Sequence, residues 1–203
     1  MAFDAYIKFA GPEVQGSAIL SKGNRGGVDY PIGLPSKIPM KVVQATPENW
    51  IQMDEYGFSA TMAVTAARSG GTGAPTTGKG KLEPFTFKKP VDRVSMSLAF
   101  HASAGTVFKE ILVNVFVSIG DQGGAGSAPV RFLTIGLRNA VITSCGFSGG
   151  GGDDLPTEDV SISYGAITYE LTPFVVEEDT VKQDKNQYYC DWNTVTNTGT
   201  KVG

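Results

Sequence analysis

Alternation between apolar and polar positions runs through most of the chain and predicts β-strands. The first strand places four apolar side chains on one face: Phe3, Ala5, Ile7 and Phe9. In the segment 107–119, Leu112 and Phe116 keep the second face partly apolar, which indicates that this strand is covered on both sides. The other predicted strands cover residues 50–64, 84–88, 130–137, 140–147 and 160–171.

Two irregularities interrupt this pattern. Arg138-Asn139 separates two apolar runs and indicates either a tight turn or a local irregularity. In residues 160–171 the apolar phase shifts by one position at Gly165, which predicts a β-bulge that bends one long strand. A bent long strand is what closure of a barrel requires.

One helix is predicted among these strands, over residues 93–104. Asp92 is a suitable N-cap and Gly105 a suitable left-handed C-cap. Three apolar residues recur at four-residue spacing and would pack the helix on a sheet: Val94, Leu98 and Ala102. The fold class is therefore mainly β, an antiparallel barrel or sandwich with one flanking α-helix.

Three segments rich in glycine or poor in periodic apolar residues are predicted loops: residues 11–49, 68–81 and 148–158. Within the first, residues 38–43 are compatible with an extra edge strand. Neither a repeat nor a linker divides the chain, so residues 1–203 form a single domain with an inserted segment at 11–49. A connection of this length is usually functional or disordered.

Composition and charge restrict the function further. The 203 residues are 41% hydrophobic and carry a net charge of −3, which indicates an ordered domain and argues against nucleic acid as partner. The longest apolar runs fall short of the roughly 20 residues of a membrane span. The N-terminus lacks the features of a signal peptide, so we expect folding in the cytoplasm and, if the protein is exported, a route that needs no signal peptide. Cys145 and Cys190 are more consistent with two thiols than with a disulfide.

Candidate chemistry is sparse. His101 is the one histidine and has no cysteine or histidine at helical spacing, so neither a metal site nor a hydrolase base is predicted. Residues 149–152 are four glycines, but the acidic residues after them would repel a phosphate. A solvated acidic turn is the preferred interpretation of Asp153, Asp154, Glu158 and Asp159. We therefore predict a protein that is not an enzyme and that binds no cofactor.

Short motifs in a fixed order resemble the haemolysin co-regulated protein family (Hcp). They are a Trp-Ile strand start, a Phe-x-Phe strand with a Lys-x-x-Asp entry into the helix, a glycine after the helix, a Pro-x-Glu turn and a tryptophan near the C-terminus. In this chain the corresponding residues are Trp50, Phe85, Phe87, Lys88, Asp92, Gly105, Pro156, Glu158 and Trp192. The last motif has Asp and Trp in reversed order, and the segment 11–49 is longer than the connection usual in the family.

The resemblance implies a function as well as a compact barrel flanked by one helix. It implies a structural subunit of the type VI secretion inner tube, with six copies in a ring and rings stacked into a hollow, expelled tube. The implied partners are further copies of the chain, a sheath, a spike protein and effectors in the lumen. A tail-tube subunit of another contractile particle is a close alternative. A secreted β-domain that binds a carbohydrate or receptor is a distant one.

Overall fold

Fourteen strands and one helix are found in the residues that this computed structural model describes, which are 3–12, 14, 50–65, 76–118, 129–151, 155–177, 180–183 and 188–202. The helix α1 spans Ser95–Ala104. The strands are β1 (Phe3–Ala10), β2 (Ile51–Met53), β3 (Glu55–Gly57), β4 (Ala60–Thr65), β5 (Thr76–Leu82), β6 (Phe85–Pro90), β7 (Val107–Ser118), β8 (Pro129–Ser148), β9 (Thr157–Ser163), β10 (Ala166–Leu171), β11 (Phe174–Glu177), β12 (Thr180–Gln183), β13 (Tyr188–Asn193) and β14 (Thr198–Val202).

Ten of these strands form one antiparallel sheet, which confirms the predicted mainly-β fold with one flanking helix. Its main path runs β14-β13-β10-β8-β7-β1-β2, and β9, β6 and β3 extend from the second edge of β8. Two hairpins, β4–β5 and β11–β12, form separate two-stranded sheets. The strand β5 corrects the predicted loop at 68–81, since residues 76–82 pair with β4.

The predicted closure into a barrel is wrong for the described strands. Closure would require one strand to pair with β1 along one edge and with β6 along the other. The chain instead changes partner at Asp54: β2 pairs with β1, β3 pairs with β6, and the Asp54 N–H donates to the Lys88 carbonyl at 2.9 Å. The sheet is therefore open, and the predicted strand at 50–64 is three short strands.

The main core lies on one face of the sheet under α1. Its largest fully buried apolar side chains include Phe9, Phe85, Phe87, Phe108, Ile111, Leu98 and Leu137. The rings of Phe9 and Phe108 meet edge to face, with centroids 5.0 Å apart. A second cluster contains Tyr6, Trp50 and Phe116, with Leu112 packed against it. The expectation that residues 107–119 are covered on both faces is thus confirmed over the described part of this strand.

The two irregularities of the sequence lie next to each other. Residues 129–148 form one continuous strand, so a tight turn at Arg138-Asn139 is wrong and a local irregularity is right: Asn139 has a φ of 50°. The predicted strand 160–171 is divided into β9 and β10, and both pair with β8. At the break, the Gly165 N–H donates to the Arg138 carbonyl at 2.9 Å. The bend is therefore shared by neighbouring strands.

The helix begins later than predicted, and Asp92 is not its N-cap. The N-cap is Val94, which makes no side-chain capping bond. Asp92 instead closes the preceding turn, because its Oδ1 accepts the Val94 N–H at 2.9 Å. The predicted C-cap is confirmed: Gly105 has a φ of 61° and donates to the Ala102 carbonyl.

Most of the predicted insertion at 11–49 lies outside the described residues, as do residues 38–43, Asp153 and Asp154. Of its first residues, Val14 is buried in the core and bridges to Phe9. Among the described helical residues there is no stretch long and apolar enough to cross a membrane.

Candidate assembly surfaces and a buried ion-pair cluster

Two adjacent lysines at the end of β6 lie on opposite faces of the sheet. The strand alternates in burial, so Phe85, Phe87 and Lys89 face the core. Lys89 is 1% exposed, whereas the Lys88 side chain is 52% exposed. A buried ammonium requires compensating charges and acceptors, and the surrounding side chains supply both.

The Lys89 Nζ has as many close acceptors as it has N–H donors. It lies 2.7 Å from Glu158 Oε1, 2.7 Å from Asp92 Oδ1 and 2.8 Å from the Pro90 carbonyl. A fourth oxygen, Ser95 Oγ, is 3.3 Å away. We call the residues Lys89, Asp92, Ser95 and Glu158 the ion-pair cluster.

Ser95, the first residue of α1, connects the two carboxylates of the cluster. Its hydroxyl donates to Glu158 Oε1 at 2.9 Å and accepts the Asp92 N–H at 2.9 Å. Within the described residues no buried side-chain nitrogen or oxygen lacks a hydrogen-bond partner. The cluster therefore joins β6, β9 and α1 without an unsatisfied polar group.

Cys145 borders the cluster on β8. Its thiol lies 3.8 Å from Glu158 Oε2. Burial, the charge of Glu158 and this hydrogen bond raise the pKa of Cys145 to about 11, although Lys89 opposes the shift. The thiol is therefore protonated at neutral pH, and a protonated thiol is a poor nucleophile. Cys145 and Cys190 are both free.

The other motif residues have separate positions. Phe85 and Phe87 lie in the main core, Trp50 in the second cluster, and Trp192 packs half-buried against the core. Lys88 points outward, with its Nζ 3.7 Å from Glu55 and 3.6 Å from Asp159.

Of the predicted motif residues, only Asp92 and Glu158 meet in the ion-pair cluster, while the Pro156 carbonyl accepts the Val91 N–H nearby at 2.8 Å. Lys89, which joins them, is the residue that fits the Lys-x-x-Asp spacing to Asp92, so the assignment of that motif to Lys88 was wrong by one residue. Lys89 also alternates in register with the buried Phe85 and Phe87. The prediction that Glu158 belongs to a solvated acidic turn is wrong, since this residue is fully buried.

The His101 side chain packs against two aromatic side chains. Its ring lies 5.3 Å from the Phe108 ring and 5.5 Å from that of Phe100, and Nδ1 is 3.0 Å from Thr106 Oγ1. The described part of the chain contains no group of three or more histidine, cysteine or acidic residues that could hold a metal ion.

The helix α1 presents an apolar surface to solvent. Met96 and Phe100 are one turn apart and are 62% and 66% exposed. Large apolar side chains at such exposure, arranged on one face, are typical of protein contact surfaces. We call this pair the helix face.

The β4–β5 hairpin is a second exposed feature. It is attached at its base: the Glu83 N–H donates to Ser59 O at 2.9 Å, the Tyr164 hydroxyl donates to Glu83 O at 3.0 Å, and the Phe58 and Tyr169 rings stack at 5.2 Å. Burial raises the pKa of Tyr164, and it raises the pKa of Tyr169 to about 12.

The C-terminal strand β14 is the last in the main path of the sheet, and its residues are exposed. Its hairpin with β13 is fixed by the Thr200 N–H, which donates to Asp191 Oδ1 at 2.6 Å. The second edge of β14 has no partner among the described strands, and such an edge favours pairing with another chain.

The comparisons with known proteins agree on one family. The family described as "Type VI secretion system effector, Hcp" matches residues 38–171, which include the last part of the predicted insertion. Among curated proteins no relative matches this chain.

Solved structures match over nearly the whole length. A structure described as a type six secretion system protein has a TM-score of 0.70 at 22% identity, covering 98% of this chain and 100% of its own. Hcp1 from Salmonella typhimurium gives 0.60 at 14% identity, with coverage of 98% and 100%. A type VI secretion system effector from Yersinia pestis gives 0.52 at 16%, with coverage of 93% and 98%. At these identities the structural likeness establishes the fold.

Proposed function

This chain belongs to the Hcp family of type VI secretion tube proteins, and on that premise we propose that six copies form a closed ring, that rings stack into the hollow tube, and that the lumen carries effectors. The family match, which spans more than half of the chain, is the observation that carries the proposal. The order of the motifs and the full-length likeness of the fold support it.

The exposed surfaces are of the kind that ring assembly requires. A closed ring of identical subunits joins two different patches of each copy, head to tail. The helix face supplies one apolar patch, and the free edge of β14 supplies a backbone that can pair. The β4–β5 hairpin is a two-stranded sheet, a unit that is only marginally stable without further packing. We assign these three features to contacts within and between rings.

The proposal gives the chain a structural role and no catalytic one. The imidazole of His101 packs against the aromatic side chains of Phe100 and Phe108, and the thiol of Cys145 is protonated at neutral pH. The remaining proposed partners are the sheath around the tube, the spike protein at its end and effector cargo. The proposed route is from the cytoplasm outward through the secretion apparatus.

Light scattering and negative-stain microscopy of the purified protein test the assembly. We expect a particle of about six times the subunit mass of 21.4 kDa, with an open centre, at micromolar concentration. A stable monomer at that concentration would contradict the proposal.

A pair of helix variants tests the helix face. Phe100→Asp places a charge on the apolar surface and should dissociate the ring while leaving circular dichroism unchanged. The matched control is Ser103→Asp, which puts the same charge on an exposed residue of the same helix. If Phe100→Asp rings remain intact, the helix face is not a ring contact.

A further inference from the structure

The ion-pair cluster lies where α1 meets the sheet, and its members come from both sides of that junction. Lys89 and Glu158 are directly opposite each other in the β6–β9 pair. Ser95 belongs to α1, and Asp92 to the turn that leads into it. The cluster is therefore the polar part of the contact between helix and sheet.

Apolar packing of the helix is limited. Within α1 the buried residues are Ser95 and Leu98, one of them polar. Ala102 is partly buried against the core, while Met96 and Phe100 face away from it. A helix that buries so little apolar surface depends strongly on its other attachments.

Those attachments differ at the two ends of α1. At its C-terminal end, Gly105 closes the helix and the His101 ring packs on Phe108. At its N-terminal end Val94 makes no side-chain capping bond but is buried in the core, and the ion-pair cluster supplies the polar contacts. Without the cluster, that end would be held mainly by Val94.

We propose that the ion-pair cluster acts as a latch that holds the first turn of α1 on β6 and β9, and that α1 opens locally from this end when the latch is broken, with the strands still paired. Local openings of this kind are common where few apolar contacts hold an element. The proposal concerns the single subunit and does not depend on ring formation.

Amide hydrogen exchange in the first turn of α1 provides a direct readout of the latch. The Leu98 N–H donates to the Val94 carbonyl at 3.0 Å, so opening of the first helical turn frees this amide for exchange with solvent. The experiment uses the full chain. Exchange of the peptides that cover α1 is followed by mass spectrometry at one fixed pH and one assembly state.

Lys89→Met is the main variant, and Lys88→Met is its matched control on the neighbouring residue. Loss of one partner of a buried ion pair should raise the exchange rate of the first-turn amides by about a hundredfold or more, whereas Lys88→Met should leave it near that of the parent. The exchange rate of Lys89→Met with Glu158→Gln should lie between those of the two single variants, because no unpaired carboxylate remains at position 158.

Tryptophan fluorescence separates local from global opening, since Trp50 lies in the second cluster and Trp192 on β13. We expect the fluorescence of the folded protein to be retained while exchange of the first-turn amides accelerates. An unchanged exchange rate in folded Lys89→Met would overturn the proposal, as would fluorescence loss in step with exchange. If Lys89→Met does not fold, Ser95→Ala decides: it should raise the exchange rate by about tenfold, and an unchanged rate refutes the latch.

Discussion

Lys88 and Lys89 are neighbours in the same strand, and each is close to two carboxylates. Lys88 contacts Glu55 and Asp159 at 3.7 and 3.6 Å on the solvent face, and Lys89 contacts Glu158 and Asp92 at 2.7 Å on the core face. The residue types are the same, and the environments are not. Water screens the outer pairs, so they contribute little, while the inner lysine has exchanged its hydration for protein acceptors.

The difference shows that the effect of breaking an ion pair on stability depends on the environment of the charge that remains when one partner is removed. Removal of Lys88 leaves carboxylates that water can solvate. Removal of Lys89 leaves Glu158, which is fully buried, with Ser95 and Cys145 as its side-chain partners. The following predictions test this contrast between the outer and inner lysine.

The largest effect is expected for Lys89→Met. The side chain has similar length and keeps the apolar packing, but Glu158 loses its counter-ion, so the free energy of unfolding should fall by about 3–5 kcal/mol. Urea unfolding followed by circular dichroism measures the loss. A loss below about 1 kcal/mol would show that the inner pair is no more important than a surface pair.

Replacing both charges should restore part of the stability. In Lys89→Met with Glu158→Leu, no buried carboxylate is left at position 158, and such replacements are often close to neutral. We expect the double variant to be more stable than Lys89→Met by about 2 kcal/mol in the same urea experiment. Additive losses from the two changes would argue against direct coupling.

Asp92→Ala should have an intermediate effect of about 1 kcal/mol, the scale of a lost cap or side-chain hydrogen bond. The change removes the Oδ1 contacts to the Val94 N–H and the Lys89 Nζ, but Glu158 still pairs with Lys89. Thermal unfolding measures the shift in Tm. An effect as large as that of Lys89→Met would place Asp92, and not Glu158, at the centre of the cluster.

Lys88→Met is expected to have the smallest effect, at most about 0.5 kcal/mol, because both of its ion pairs are exposed. Urea unfolding in low salt and in high salt should give nearly the same difference from the parent. A loss comparable with that of Lys89→Met would remove the contrast from which these predictions start.

Period-two alternation predicted much of the fold, because burial on one face of a strand leaves a direct mark on the sequence. It placed β1, β6 and β7 within a few residues. In β6 the same alternation puts Lys89 on the buried face with Phe85 and Phe87. In β8 the alternation changes phase at Asn139. Ile135 and Leu137 are buried before it and Ala140 and Ile142 after it, a shift of one residue that a bulge produces. A turn between two strands gives the same shift, so the sequence alone left both interpretations open.

Other features leave no such mark. The β4–β5 hairpin contains glycines in place of alternating apolar residues, so its strand β5 resembled a loop. Asp92 matches a helix cap by residue type, but its carboxylate is shared with Lys89, and the helix begins three residues later. Strand partners, such as the change at Asp54 from β1 to β6, depend on contacts between distant segments, which one sequence does not reveal.

The strand β8 has a mechanical consequence for a tube protein. One edge pairs with β7 over residues 129–141, and the other pairs with β10 in the first half of the strand and with β9 in the second. These strands are therefore joined through one continuous backbone, and sliding them past one another along the strand direction requires whole ladders of hydrogen bonds to shear together. The strand β14, by contrast, pairs with one described neighbour and can peel away one hydrogen bond at a time. Under load, the C-terminal hairpin should yield first and β8 last.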